Sequence, residues 1–156
     1  MKNYLVFTMA TLLLGTACSS KKEHAEGFTG APGEVKLITL DPGHFHAALV
    51  QKVSYPQVSK DVYVYAPTGF DVNEHLKRIE GFNTRAENPT LWNEIVYTGT
   101  DYLEKMLAEK KGNVMIQAGN NGKKTEYKKK TLEAGINVLS DKPMAINSQN
   151  FKLLEE

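Results

Sequence analysis

A chain of 156 residues with 41% hydrophobic and 24% charged content has room for one domain of ordinary size, and is too apolar for wholesale disorder. Its formal net charge of +1 supplies no overall field to draw it to nucleic acid or an anionic surface, so no nucleic-acid partner is expected. A single cysteine, Cys18, excludes an internal disulfide.

Met1-Lys2-Asn3 is a short basic start, and Tyr4 to Leu14 is an apolar run too short to anchor stably across a bilayer. Gly15-Thr16-Ala17 then places small residues directly before Cys18. This order predicts an export signal over residues 1–18. It resembles a bacterial lipobox, in which the cysteine becomes the lipidated first residue of the mature protein. Gly15 stands where leucine is usual, with Leu14 one residue further back, and an ordinary cleavable signal is the alternative. Residues 19–33, rich in Lys, Glu, Gly, Ala and Pro, read as a flexible tether to a domain over 34–156. The expected location is the cell envelope, on the periplasmic side or the outer membrane, with the membrane as partner through a lipid anchor.

Val35 to Leu40 is a near-continuous apolar run of strand length, as expected where both faces are covered. Asp41-Pro42-Gly43 stops it, and Phe45, Ala48 and Leu49 follow at helical spacing. Asp61 to Tyr65 predicts a second strand, closed by Ala66-Pro67-Thr68-Gly69. A short helix over about Val72 to Ile79 precedes an irregular stretch from Gly81 to Leu91. Glu94 to Tyr97 reads as a third strand. A helix capped by Thr100 and ended by Gly112 would turn Leu103, Met106 and Leu107 to one face. Val114 to Ala118 is a fourth strand, and Gly119 to Gly122 a tight polar loop. In the helix from Lys123 to Ala134, Tyr127, Thr131 and Ala134 face inward, the lysines at 123, 124, 128, 129 and 130 form a solvated face, and Gly135 is the stop. Asn137 to Ser140 is a fifth strand, and a last helix begins near Ser148. Strands alternating with helices predict an α/β fold, a doubly wound parallel sheet of Rossmann type. Because the chain stops as that last helix starts, a truncated first domain is expected.

Ligands of such sheets sit at the carboxyl ends of the strands. The first loop occupies the place of a Gly-x-Gly-x-x-Gly turn, but its three glycine positions are Asp41, Gly43 and His46, so only the middle one is kept. Gly43 would let backbone approach a pyrophosphate, with a helix N-terminus adding positive potential. Asp41 would put negative charge near the phosphates. The acid usually found at the end of strand two for the ribose hydroxyls is replaced by Tyr65-Ala66-Pro67, with no acid until Asp71.

Val114 to Asn121, a helix ending Leu132-Glu133-Ala134-Gly135, and Asn137-Val138-Leu139-Ser140-Asp141-Lys142-Pro143-Met144-Ala145 together resemble the Gfo/Idh/MocA oxidoreductase family. There the fifth strand leads into Glu-Lys-Pro, matched here by Asp141-Lys142-Pro143 with Asp for Glu. The resemblance runs from about Val35 to Phe151 and implies an NAD or NADP cofactor, hydride transfer, and a small sugar-like or polyol substrate. It carries the catalytic role onto Lys142 and implies a cis bond before Pro143. Asn121 matches the family's fourth-strand asparagine, and Lys124 stands where the family has His. The implied cofactor contacts are Gly43, His44, Phe45, His46, Ala66, Ala118, Gly119, Asn120, Asn121, Lys124, Asp141, Lys142 and Pro143. The family's second, α+β domain is missing; with it go the partner acid/base residues and any surface for homo-oligomerisation, so this chain alone is not expected to turn over substrate.

Two other readings compete. Leu40-Asp41-Pro42-Gly43-His44 is similar to the opening of zinc-dependent peptidoglycan amidases, but the Gly-Gly-x-Asp run and a later Ser/Asn-x-His segment are absent. No metal is expected, since His44 and His46, neighbours at a helix start, should point apart. The other alternative is a non-catalytic tethered domain that keeps the fold and has lost cofactor affinity.

Overall fold

The computed structural model describes residues 27–155, so the signal, Cys18 and most of the tether lie outside the described residues. Five strands, β1 (Leu37–Leu40), β2 (Asp61–Ala66), β3 (Asn93–Thr98), β4 (Val114–Gln117) and β5 (Asn137–Ser140), form one parallel sheet in the order β3-β2-β1-β4-β5. Ile38 lies opposite Tyr63 and Met115, and Met115 opposite Val138. The five helices are α1 (His46–Leu49), α2 (Phe70–Thr84), α3 (Tyr102–Glu109), α4 (Lys124–Glu133) and α5 (Ser148–Glu155). This is the doubly wound α/β architecture that the strand pattern predicts.

The period-2 alternation of strands divides the core into two layers. Ile38, Leu40, Tyr65 and Met115 point to α3 and α4, where they meet Leu103, Met106 and Tyr127. Leu37, Val62 and Ile116 point the other way, against Ala47, Ala48, Ile79 and Trp92. Val64, Ala66 and Val72 form a small adjoining cluster.

Several local expectations are corrected. α1 is a single turn in which only Ala47 and Ala48 are buried, while Phe45 and Leu49 are exposed. α2 runs through Gly81 to Thr84, because Val72, His75 and Ile79 are buried at helical spacing and Phe82 continues that stripe into the core. Asn83 then ties the returning chain, accepting from Thr90 Oγ1 and the Trp92 N–H. Asp101, not Thr100, is the N-cap of α3, and Lys110 in the left-handed conformation (φ 46°), not Gly112, ends it. Gly112 serves a close approach, since a Cβ there would lie 2.5 Å from the Lys36 carbonyl oxygen. The Ile136 N–H donates to the Thr131 carbonyl and the Gly135 N–H to Leu132, closing α4 at Gly135 as expected. Thr29, Gly30 and Ala31 donate backbone N–H bonds to the Glu34 carboxylate, so contacts begin before residue 34.

The lysine run is not a uniformly solvated face. Lys124 and Lys128 are buried, at 1% and 6% exposure. Lys124 Nζ donates to the carbonyls of Asp141 (2.9 Å) and Lys142 (2.6 Å), and Lys128 Nζ to that of Met144 (2.6 Å). Four-residue spacing puts both ammonium groups on one side of α4, beneath the turn that follows β5. Burial pulls both lysine pKa values down from their ordinary range.

Candidate functional site at the carboxyl edge of the sheet

The chain leaves β1 for β2 on one side of the sheet and later returns to β4 on the other, so the order reverses between β1 and β4. A crevice opens at such a point. The loops after β1 and β4 touch there: a Cβ on Gly119, whose φ is +100°, would lie 2.5 Å from the carbonyl carbon of Gly43. The Gly43 N–H is already donated to the Asp41 carbonyl, so it is not a free pyrophosphate donor.

Asp41 does not face the crevice. Its carboxylate turns inward, accepting from Asn120 Nδ2 (2.6 Å) and Tyr127 Oη (2.7 Å). Tyr127 also shares a hydrogen bond with Tyr102, to whose oxygen Lys123 Nζ donates at 3.1 Å. Burial, reinforced by hydrogen bonds to Tyr102 and Asp41, pushes the Tyr127 phenol well above its usual range. The charge feared near a pyrophosphate is thus a buried clasp between the β1 and β4 loops, and the Asn120 side chain is engaged in holding it.

The third loop is the turn after β5. The Asp141 N–H donates to the Gln117 carbonyl, and the Lys142–Pro143 bond is cis, as the resemblance implied. Lys124 and Lys128 fasten the carbonyls of this turn from below, so Lys124 is a positioning residue and does not line the crevice. Lys142 stands at the rim with a side chain 80% exposed, its Nζ 3.9 Å from Asp141 Oδ1.

Across from the turn, His46 Nδ1 lies 2.8 Å and His44 Nδ1 3.9 Å from Asp141 Oδ2. The two imidazoles therefore do not point apart. His44 precedes the single helical turn, so helical angular spacing does not separate it from His46, and their ring centroids are 4.3 Å apart. The hydrogen bond from His46 holds the Asp141 carboxyl below its ordinary pKa.

Gly43, His44, Gly119, Asn121, Asp141, Lys142 and Pro143 line a cleft of about 420 Å³. On the other side of the first loop, Pro42 to Phe45 face Phe70, Asp71, Glu74, His75 and Arg78 across a cleft of about 240 Å³. Ala66 lines a further cleft of about 270 Å³ between these loops, together with Asp71. Ala118 is buried behind the loops in the core. The sequence shows Asp71 only as the first acid after β2, and nothing local marks Phe70. The start of α2 carries both back beside the first loop, with Phe70 76% exposed.

Beneath the smaller cleft, His75 Nε2 lies 3.9 Å from Glu94 Oε2, and Glu94 also accepts from Gln51 Nε2. Burial lowers the His75 pKa to about 4, and burial raises that of Glu94 to about 7. Both groups are neutral where they are most stabilising, with opposite consequences. Glu94 contributes stability that is complete below its ordinary value of 4.5 and is lost as pH rises through about 7. His75 contributes stability that is complete above its ordinary value of 6.5 and is lost as pH falls towards about 4. The slopes oppose one another in between. Glu94→Gln removes the Glu94 slope, so urea unfolding across pH should show that variant losing stability as pH falls from about 7 to 4.5 more steeply than the parent, by up to about 3 kcal/mol. Parallel pH profiles would contradict neutral burial of Glu94.

No protein-family model and no curated protein matches the chain. Solved structures similar to it include the following two. A crystal structure from Parabacteroides merdae, provisionally assigned as an oxidoreductase, is 95% identical, covers 83% of this chain and aligns with a TM-score of 0.82. This chain spans 30% of the length of that protein. A structure from Thermotoga maritima, assigned in the same provisional way, is 16% identical, covers 78% of this chain and 33% of its own, and aligns with a TM-score of 0.54, a likeness of fold. The chain thus has the parallel-sheet, Rossmann-like fold of the dinucleotide-binding type.

Proposed function

We propose that residues 34–156 are the dinucleotide-binding part of a longer Gfo/Idh/MocA-like oxidoreductase, exported and lipid-anchored through Cys18, that oxidises or reduces a sugar or polyol with NAD or NADP. The observation that carries this reading is the Asp141-Lys142-Pro143 turn, which lies at the carboxyl edge of the sheet and shares one cleft with Gly43, His44 and Asn121. The provisional assignment of the 95% identical Parabacteroides merdae protein as an oxidoreductase supports the redox part of this reading.

The residues present fit a dinucleotide, with an unusual seat for its phosphates. α1 is one turn long and carries little dipole, so the pyrophosphate would depend on the backbone N–H groups of His44 and Phe45. Asp71 offers a carboxylate for the adenosine ribose hydroxyls and Phe70 an open ring face for the base. NAD(P) supplies a hydride acceptor or donor when bound. Asn121 and Lys142 lie on the nicotinamide side, where Lys142 would donate a hydrogen bond or a proton to the oxygen on the reacting carbon.

The remainder of the longer protein would supply the partner acid/base group and cover the β5 edge. There Leu132, Leu139, Met144 and Phe151 are all exposed, and a groove of about 560 Å³ is lined by Leu132, Leu139, Met144 and Leu154. The short α1 and the missing strand-two acid favour the second reading, a tethered domain without cofactor.

Native mass spectrometry of the protein purified from its own envelope tests these readings together. Retained NAD(P) and an acyl mass on Cys18 are expected. Protein free of any nucleotide would favour the non-catalytic domain, and an unmodified Cys18 would overturn the anchor.

A further inference from the structure

His44 and His46 lie at the end of β1 and Asp141 at the end of β5, 95 residues from His46 in sequence, yet one ligand-competent atom of each lies within 4.8 Å of the others. We propose that His44, His46 and Asp141 form a mononuclear site for a divalent cation of the zinc class, open towards the cleft that Lys142 borders.

The spacing suits a metal. Nitrogen and oxygen ligands about 2.0–2.1 Å from a tetrahedral zinc stand roughly 3.4 Å from one another. The two histidine-to-carboxylate separations, 2.8 and 3.9 Å, fall on either side of that value, and with all three ligand atoms within 4.8 Å of one another the two rings need only draw together around the ion to complete the set. The donor type suits it as well. Two imidazoles and one carboxylate select zinc-like transition cations, whereas calcium and magnesium favour oxygen ligands.

The ligands are also held in place. Asp141 is fixed at its N–H by the Gln117 carbonyl and at its carbonyl by the buried Lys124 ammonium. The His44 ring packs on Phe45 at 4.5 Å between centroids. Such outer contacts set the orientation of ligands before a metal arrives. Lys142 approaches Oδ1 of Asp141, the oxygen not shared with the histidines, and so leaves Oδ2 to the cation. Side-chain exposures of 43% for His44 and 29% for His46 leave one side of the triad open. Binding displaces the proton now shared between His46 and Asp141. The open position suits an oxygen of a hydroxyl or carbonyl group. That last step rests on the oxidoreductase reading, whereas the metal site does not.

Isothermal titration of the metal-stripped full chain with zinc chloride tests the site. One equivalent should bind, and cobalt chloride in its place should give the intense visible bands of a four- or five-coordinate centre. His44→Ala alters a half-exposed ring and Asp141→Asn keeps its shape. Each should weaken zinc by more than about 100-fold, beyond what loss of an outer contact costs. His24→Ala controls for stray coordination and should change nothing. Absence of stoichiometric zinc binding, affinity unchanged in His44→Ala and Asp141→Asn, or loss of affinity only in His24→Ala would each overturn the proposal. Zinc binding without retained NAD(P) would uphold the site and count against the oxidoreductase; the converse would do the opposite.

Discussion

Gly119→Ala should cost the fold roughly 2–5 kcal/mol, the sum of a strained backbone and an overpacked contact. Gly119 holds a φ of +100°, which L side chains rarely adopt, and its added Cβ would lie 2.5, 2.6 and 2.8 Å from the carbonyl carbon, Cα and nitrogen of Gly43. Those are backbone atoms of a loop anchored by the buried Asp41 carboxylate, so no flexible side chain can yield. Relief requires the β1 and β4 loops to part, which would also widen the cleft. Differential scanning calorimetry should show the thermal midpoint falling by on the order of 10 °C. A fall of only a degree or two would mean that the two loops are not rigidly clasped.

The second large effect is on turnover. On the oxidoreductase reading proposed above, Lys142→Ala should lower turnover by about 10²–10⁴-fold, the usual contribution of a positioned proton donor, with little change in stability. The Lys142 side chain is 80% exposed and its one ion-pair partner, Asp141, is also bonded to His46, so the fold loses almost nothing. Steady-state kinetics on a panel of sugars and polyols with NAD⁺ and NADP⁺, with calorimetry on both proteins, provides the check. Unchanged turnover would make Lys142 a solvated turn residue.

Much of the fold could be read from local chemistry. Strand runs such as Leu37–Leu40 and Asn137–Ser140 are short, apolar and bounded by turn residues, so pattern alone locates them and their order in the chain predicts a parallel sheet. What pattern does not give is the three-dimensional partner of a polar side chain. Lys124 and Lys128 look like a solvated run because nothing local reveals the carbonyls of residues 141–144 above them. Asp41 looks hostile to a phosphate because its buried partners, Asn120 and Tyr127, lie 79 and 86 residues away. The convergence of His44 with His46 depended on α1 being one turn long, and a helix boundary is the least legible feature of a sequence. Asp71 was visible as a residue but not as a neighbour of the first loop, because the bend between β2 and α2 sets that proximity. Gly43 could be placed by its position just past a strand end, where parallel sheets gather their sites, whereas the roles of Asn121 and Lys142, which line the same cleft, came from the family resemblance.

On the reading proposed above, the cleft at the ends of β1, β4 and β5 receives a dinucleotide. Hydrogen–deuterium exchange of the full chain with and without NAD⁺ or NADP⁺ tests it most directly. Exchange should slow at 43–46, 66–71, 119–121 and 141–144, with the helical faces unchanged. Exchange unaltered by either nucleotide, or protection confined to the groove beside β5, would contradict it.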